Sequence, residues 1–223
     1  TIGYAEDPRM ERLMTTRVGP TNDPSNKFRY LDANIGMGVS YKETNYPDLF
    51  ASVFTKNTGF VSLMLTEELR LIKAEALYWQ GLKQEALNEM NAAVNINLAR
   101  HTTKAGYTTR FKNMAKYFPT LGNFNIGHIM RHKYVCMYLQ PEQWNDMRRY
   151  NYSNNTNGYT YDGAVIYPGL KRPYNLYEPY WTTEKNPDNS IKEIWIQRLN
   201  YDPETEEKYN KAELDRLGAF RNP

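Results

Sequence analysis

The sequence predicts a mainly α-helical chain in which helical hairpins carry long irregular loops rich in aromatic residues. Three observations lead there. Residues 68–94, ELRLIKAEALYWQGLKQEALNEMNAAV, place small and apolar residues at helical spacing, break once at Gly81 and resume. Residues 1–64 are interrupted by Pro and Gly, and residues 151–195 are rich in Tyr, Asn, Gly and Pro. The 223 residues include 19 tyrosines against 8 phenylalanines, and a ring with a polar tip suits half-wet surfaces and binding sites.

The elements follow in order. In residues 1–64, Pro8, Pro20, Pro24 and Pro47, with Gly3, Gly19, Gly36, Gly38 and Gly59, break every short apolar run. Within them GMGVSYKETNYPDLFASVF reads as a long surface loop, and loops of that length are usually functional or disordered. A hairpin of two helices spans 65–100. Leu65, Leu69, Ile72, Ala76 and Trp79 step by four, three, four and three, which predicts the inward stripe of its first helix. Thr66 caps that helix, with Glu67 and Glu68 in the positive first turn, and Gly81 takes the left-handed position that ends it. The second helix turns Ala86, Leu87, Met90, Ala93 and Val94 inward. Ala74, Ala86 and Ala93 let the two backbones approach closely. A pair of this kind leaves an apolar face uncovered and expects further helices beside it.

Residues 100–124 read as a second irregular stretch. A helix pair follows over 125–150. Its first member puts Ile126, Met130, Tyr134 and Met137 on one side. Pro141 fits the first position of the second, PEQWNDMRRY, with Glu142 at the positive end and Arg148 and Arg149 at the negative end. The long loop of 151–195 leads to a strand-like run, EIWIQRL. The polar tail of 196–223 leaves room for one more helix.

Composition narrows the function. With 28 basic and 25 acidic residues the net charge of +3 is too small to imply a nucleic-acid partner. No run of about 18 apolar residues offers a membrane span. The opening TIGYAEDPRMERLM lacks the basic-then-apolar layout of a signal peptide. Cys136, the single cysteine, excludes an internal disulfide.

Chemical motifs are few. His128, His132 and Cys136 recur every four residues and invite a metal reading. Each step rises about 6 Å along a helix, so the outer two lie about 12 Å apart and cannot share one zinc ion. His128 with His132 would need ligands from elsewhere, so no metal site is assigned, and His101 attracts no role. There is no G-x-S-x-G elbow, phosphate loop or H-E-x-x-H, and Gly36-Met37-Gly38 is too little for a nucleotide loop. Glu142 and Asp146 share a helix face that a solvated or salt-bridged surface explains. Asn151-Tyr152-Ser153 and Asn154-Asn155-Thr156 would be glycosylation sites only in a eukaryotic secretory pathway. No catalytic residue and no cofactor are expected.

Two sequence likenesses add to this. The spacing of Ala74, Leu77, Gly81, Ala86, Met90 and Ala93 resembles a tetratricopeptide repeat, in one good copy. IMRHKYVCMYLQPEQWNDMRRYNY resembles the paired helices of the SusD/RagB family through Pro141, Glu142, Trp144, Asp146, Arg148 and Arg149. IQRLNYDPETEEKYN resembles that family's closing run at Arg198, Leu199, Tyr201, Pro203, Glu206 and Asn210, with Asp202 as an extra residue. AEDPRM, with Asp7, Pro8 and Arg9, is a fourth piece, and the order of all four agrees.

The resemblance implies a SusD-like fold, with residues 1–223 as one region corresponding to the C-terminal half of a family member. It implies an outer-membrane lipoprotein of Bacteroidetes, anchored through a cysteine in an N-terminal part not seen here. Such proteins capture glycans, or peptides in RagB-like relatives, as a lid over a SusC-like barrel transporter energised through TonB. The repeat hairpin would then be scaffold, holding loops on one face and a docking surface on the other.

Sugar rings stack their apolar faces on aromatic side chains and need polar partners at their hydroxyl edges. Two stretches qualify by composition. The first holds Tyr30, Asp32, Asn34, Tyr41, Tyr46 and Phe50, and ranks first because the family's loops before the hairpin commonly contribute to the ligand site. The second holds Tyr159, Tyr161, Asp162, Tyr167, Tyr174, Tyr177, Tyr180 and Trp181. For each tyrosine the competing reading is a loop pinned to the helices by its own buried rings. Trp144 is expected in the core, with Arg148 and Arg149 on helix-end carbonyls or on carboxylates such as Glu75. Oligosaccharide capture is the leading function. Oligopeptide capture, a helical-repeat adaptor and an enzyme without a recognisable motif are the alternatives.

Overall fold

The structure, a computed structural model, describes residues 7–13, 15–16, 47–48, 54–55, 58–59, 62–102, 105–171 and 208–216. The chain divides into two compact units, Thr1–Leu31 with Met37–Gly169, and Asp32–Gly36 with Leu170–Pro223. The first unit is mainly α-helical, as predicted. Its helices are α1 (Met10–Leu13), α2 (Thr66–Trp79), α3 (Lys83–His101), α4 (Ala105–Lys112), α5 (Ile126–Cys136) and α6 (Glu142–Arg149), with a 3-10 turn at Leu121–Asn123. Two short strands, Thr15–Thr16 and Pro47–Asp48, pair antiparallel, Thr15 opposite Asp48. Among the described residues no helix is long and apolar enough to cross a membrane.

The hairpin is α2 packed on α3, and both lie against α5. Gly81 stands at φ +82° as predicted. Its N–H donates to the Tyr78 carbonyl and the Leu82 N–H to the Leu77 carbonyl, which satisfies two of the carbonyls left open at the end of α2. Ala86, Met90, Ala93 and Val94 are fully buried and Leu87 nearly so, which is the inward face expected of α3.

Helix α2 differs from its apolar pattern. Thr66 is the first helical residue rather than the cap. The preceding Leu65 is the cap, and its N–H donates to Glu68 at 3.3 Å. Leu65 is buried, but Leu69, Ile72, Ala76 and Trp79 are exposed. The buried face runs instead through Glu67, Glu68, Leu71, Ala74, Glu75 and Tyr78. That face has the same 3–4 spacing, and the helix can bury it because Ala74 lets α3 close in, because Glu67 and Glu75 meet Arg100 and Arg149, and because Glu68 accepts the Leu65 N–H.

Residues 100–124 are less irregular than their sequence suggests. They form α4 and the 3-10 turn, and Phe111 sits fully buried between Tyr117 (4.8 Å between ring centres), Phe118 (5.3 Å) and His132 (6.4 Å). Gly106 and the threonines of AGYTTRFK are weak helix formers, so tertiary packing on Phe111 decides that segment. Helix α5 is buried nearly all round, with Ile126, Ile129 and Met130 fully enclosed. Tyr134 is exposed, so the expected four-residue stripe holds for Ile126, Met130 and Met137 only. Pro141 caps α6 and accepts the Trp144 N–H at 3.0 Å, one position before the one predicted.

In the second unit, α7 (Lys208–Arg216) is the helix for which the tail left room, kinked at Asn210. Arg216 pairs there with Glu213 in the open, Nε to Oε2 at 2.8 Å.

Candidate functional site

Two buried polar networks fix the scaffold, and both begin on the inner face of α2. At its N-terminal end, Glu67 accepts from Asn97 at 3.1 Å and pairs with Arg100 at 3.0 Å. Asn97 in turn accepts from Arg9 at 3.1 Å. Arg9 is 1 % exposed, fork-bonded to Asp7 (2.9 and 2.6 Å) and 5.6 Å from the centre of the Phe111 ring. The Asp-Pro-Arg motif of the sequence is therefore a buried anchor that ties the chain's start to α3.

Eight residues along α2, Glu75 holds the second network. Arg149 forks onto it at 2.9 and 3.0 Å and reaches Asp146 at 2.6 Å. Lys133 pairs with Asp146 at 2.8 Å, and the Tyr150 hydroxyl donates to Glu75 at 2.6 Å. The expected Arg149–Glu75 pair is present. Its hydrogen bond to Glu75 holds the Arg149 guanidinium above its ordinary range, while burial and then Glu75 do the same to the Tyr150 phenol. Asp146 is buried and salt-bridged, whereas Glu142 of the same helix is half-buried. Trp144 is half-buried rather than in the core. Arg148 lies over its ring at 4.5 Å, and the Trp144 indole hydrogen-bonds the Tyr152 hydroxyl.

The three residues read for metal are satisfied separately. His132 meets the Tyr117 carbonyl at 2.8 Å, His128 lies against Asn125 at 3.0 Å, and Cys136 lies 3.7 Å from Arg9. Burial lowers His132 to about 3 and His128 to about 4, and pushes Cys136 up to about 12. His101 is not a bystander. It is buried against the Phe54 ring at 5.7 Å, and burial lowers it to about 4.

From Tyr150 the chain enters the second candidate stretch, which its own polar side chains shape. Asn154 Oδ1 accepts the N–H groups of Thr156 (2.8 Å) and Asn157 (2.9 Å). Asn157 answers by donating to the Tyr152 carbonyl at 2.9 Å. Ser153, fully buried, donates to the Tyr159 carbonyl at 2.5 Å and accepts the Ile166 N–H at 3.1 Å. Its carbonyl takes the Tyr167 N–H at 2.8 Å. Asparagine tolerates the tight turns these bonds need, and Asn151, Tyr152 and Asp162 do stand at φ near +50°. The loop lies close on α5, where an added Cβ at Gly127 would meet the Val165 carbonyl at 3.1 Å.

This loop sorts the candidate rings. Tyr167 is buried, 6 % exposed, against Tyr134 at 5.9 Å, and burial raises its phenol. It pins the loop. Tyr159 is 52 % exposed, and Tyr161 is half-buried, edge-on to Tyr150 at 4.8 Å with its hydroxyl accepting from Asn151 at 2.9 Å. Beside them Asp162 takes the Tyr78 hydroxyl and, at 3.1 Å, Lys83. Those bonds hold the Asp162 carboxyl below its usual range. Tyr161, the Asn151 amide and the Lys83–Asp162 ion pair thus lie at one stretch of the loop, and the Tyr159 ring is exposed two residues before Tyr161. Tyr30, Asp32, Asn34, Tyr41, Tyr46, Phe50, Tyr174, Tyr177, Tyr180 and Trp181 lie outside the described residues, as do Arg198, Leu199, Tyr201, Pro203 and Glu206 of the closing motif.

Reading the sequence alone missed Trp79 and Lys83 as neighbours of this loop, because apolar spacing placed Trp79 inside. It also missed the Glu67–Arg9 network, although a glutamate at i and i+8 on the small-residue face of a helix is a usable signal. Comparison with curated proteins and with solved structures gave no match. Residues 2–168 match the SusD-like family described as starch-binding associating with outer membrane, and on that stretch the chain belongs to this family.

Proposed function

We propose that this protein is a non-catalytic subunit of nutrient uptake at the outer membrane, where it captures oligosaccharide for a SusC-like, TonB-dependent barrel transporter. In this reading it sits on the extracellular face, held by a lipid anchor, and residues 1–223 act as one functional region. The family supports the setting. The observation that carries the ligand class is the surface formed by Tyr159, Tyr161, Asn151 and Asp162. Tyr161 is held there by Asn151 at its hydroxyl and by the Tyr150 ring, and the Tyr159 backbone is tied to Ser153 while its ring stays exposed. A preformed aromatic platform with a few fixed polar groups is what a sugar needs, since little side-chain freedom is left to lose on binding. The loop of Tyr30, Asp32, Asn34, Tyr41, Tyr46 and Phe50 supplies further contacts in the same reading, and Tyr167 moves from ligand contact to anchor.

Calorimetry with a glycan panel and a peptide mixture tests this. Saturable sugar binding that weakens in a Tyr159→Ala, Tyr161→Ala variant is expected. Saturable peptide binding with no sugar response would overturn it, as would glycan turnover lost on changing one carboxylate. Recovery of a large barrel protein in a pull-down tests the partner, and soluble intracellular partners in its place would favour a helical-repeat adaptor.

A further inference from the structure

We propose that the turn between α2 and α3 extends the capture surface by a further sugar-stacking platform, the Trp79 indole, with Asn151, Tyr161 and the Lys83–Asp162 pair shared between the two, built for a neutral pyranose. The proposal rests on the capture reading and extends it to a helix end that apolar spacing assigns to the core.

An exposed tryptophan alone means little, because single exposed apolar side chains are ordinary. The company of Trp79 is what matters. The ring is 51 % exposed, yet it is fixed from two sides. Its Nε1–H donates to the Tyr150 hydroxyl at 3.3 Å, and it stands perpendicular to Tyr78 at 5.5 Å. Tyr150 is in turn clamped by Glu75, so the indole rests on the Glu75 network. A ring held in this way gives up little motion on binding.

Tyr161 packs on the same Tyr150 ring, which brings the loop's half-buried tyrosine to the hairpin end. Asn151 and Asp162 both hold left-handed backbone, at φ 48° and 49°, a conformation that asparagine and aspartate adopt more readily than other side-chain-bearing residues. At those positions their side chains meet Tyr161 and Lys83, at 2.9 and 3.1 Å.

Charge selects the ligand class. Lys83 is matched by Asp162, and Arg149 by Glu75 and Asp146. An acidic sugar would find each of these cations already paired. A neutral one can stack its C–H face on the indole and exchange hydroxyl hydrogen bonds with the Asn151 amide, Lys83 Nζ and the Asp162 carboxylate.

The test titrates the full chain and its W79A and W79F variants with maltoheptaose and with an oligogalacturonate of equal length. Heat and tryptophan fluorescence are both followed. Wild type should bind maltoheptaose with a fluorescence change and prefer it to the acidic oligomer. W79A should bind about tenfold more weakly and W79F should recover most of the affinity. A W79A unfolding midpoint close to wild type would assign the loss to the site. An unchanged affinity in W79A, with wild type binding well, would overturn the subsite and leave the capture reading standing. Binding of no sugar by wild type would overturn both. A preference for the acidic oligomer would overturn the neutral class. Intact sugar binding in W79A together with loss of a protein partner would make Trp79 a protein contact instead.

Discussion

The α2–α3 hairpin and the loop from Tyr150 to Tyr167 are both tightly ordered, and they reach that order by opposite means. The hairpin relies on burial, with Leu71, Ala74, Ala86, Met90 and Ala93 wholly enclosed. The loop has only Ile166 fully enclosed among its apolar residues, and it trades backbone ladders for bonds from Ser153, Asn154 and Asn157. A scaffold can rest on non-directional packing, whereas a loop that presents rings must fix direction as well as position. The Glu75 network joins the two, since Tyr150 is both the loop's first residue and a ligand of the α2 carboxylate.

The largest effect should come from the hairpin. Leu71→Ala removes a fully buried side chain between helices and should cost about 3 kcal/mol. For a chain of this size that lowers the melting midpoint by roughly 6 to 12 °C, measured by calorimetry or circular dichroism. A loss within error would mean that the helices close over the gap.

Glu75→Ala attacks the joint. Breaking a fully buried ion pair costs about 3 to 5 kcal/mol. Here Arg149 is 51 % exposed and water recovers part of it, while Lys133 keeps Asp146, so about 2 kcal/mol is expected. The comparison is sharpened by where the damage falls. Hydrogen exchange should accelerate at Tyr150–Tyr167 before it does in α3.

Acid should loosen the scaffold before the loop. His101, His128 and His132 have folded pKa values lowered from 6.5 to about 4, 4 and 3, and all three lie outside the loop. The unfolded chain therefore takes up protons that the folded one refuses. The sign is a loss of stability as pH falls below about 6.5, continuing until the folded values are reached. For His132 the loss amounts to about 2 kcal/mol at pH 5. Denaturant titrations at pH 7.5 and pH 5 measure it, and His132→Gln should flatten the profile. A stability independent of pH over that window would contradict the burial of these rings.

Within the loop, Ser153→Ala leaves the Ile166 N–H without its acceptor in a dry place and should cost about 1 to 2 kcal/mol. On the proposed capture reading, sugar affinity should fall with it, since Tyr159 loses the bond to its carbonyl.

The sequence carried the hairpin well. Gly81, the inward face of α3 and, to within one residue, the start of α6 at Pro141 were legible because one local rule determines each of them, and the Arg149–Glu75 pair was foreseen as well. Burial of polar groups was not legible. Asp146 reads as part of a solvated or salt-bridged surface, and nothing local marks Arg9 and Glu67 as buried until their partners, drawn from separate segments, are brought together. The same gap turned α2 the wrong way and hid the neighbourhood of Trp79. Within the loop, composition announced a cluster of rings, but only packing separates Tyr167, an anchor, from Tyr159, a displayed ring.

The smallest predicted effect tests that error directly. Leu71 and Ile72 are adjacent, both apolar, and the apolar stripe puts Ile72 inside. The structure has Ile72 44 % exposed and Leu71 at 0 %. Ile72→Gln should therefore change stability by no more than about 0.5 kcal/mol, since an exposed helix position accepts glutamine with little propensity cost. Thermal melts of this variant beside Leu71→Ala give the contrast in one experiment. Equal losses at the two sites would mean that α2 presents its apolar stripe to the core after all, and Trp79 would then go inward with it. The large difference expected here leaves the indole at the hairpin end, free to meet a ligand.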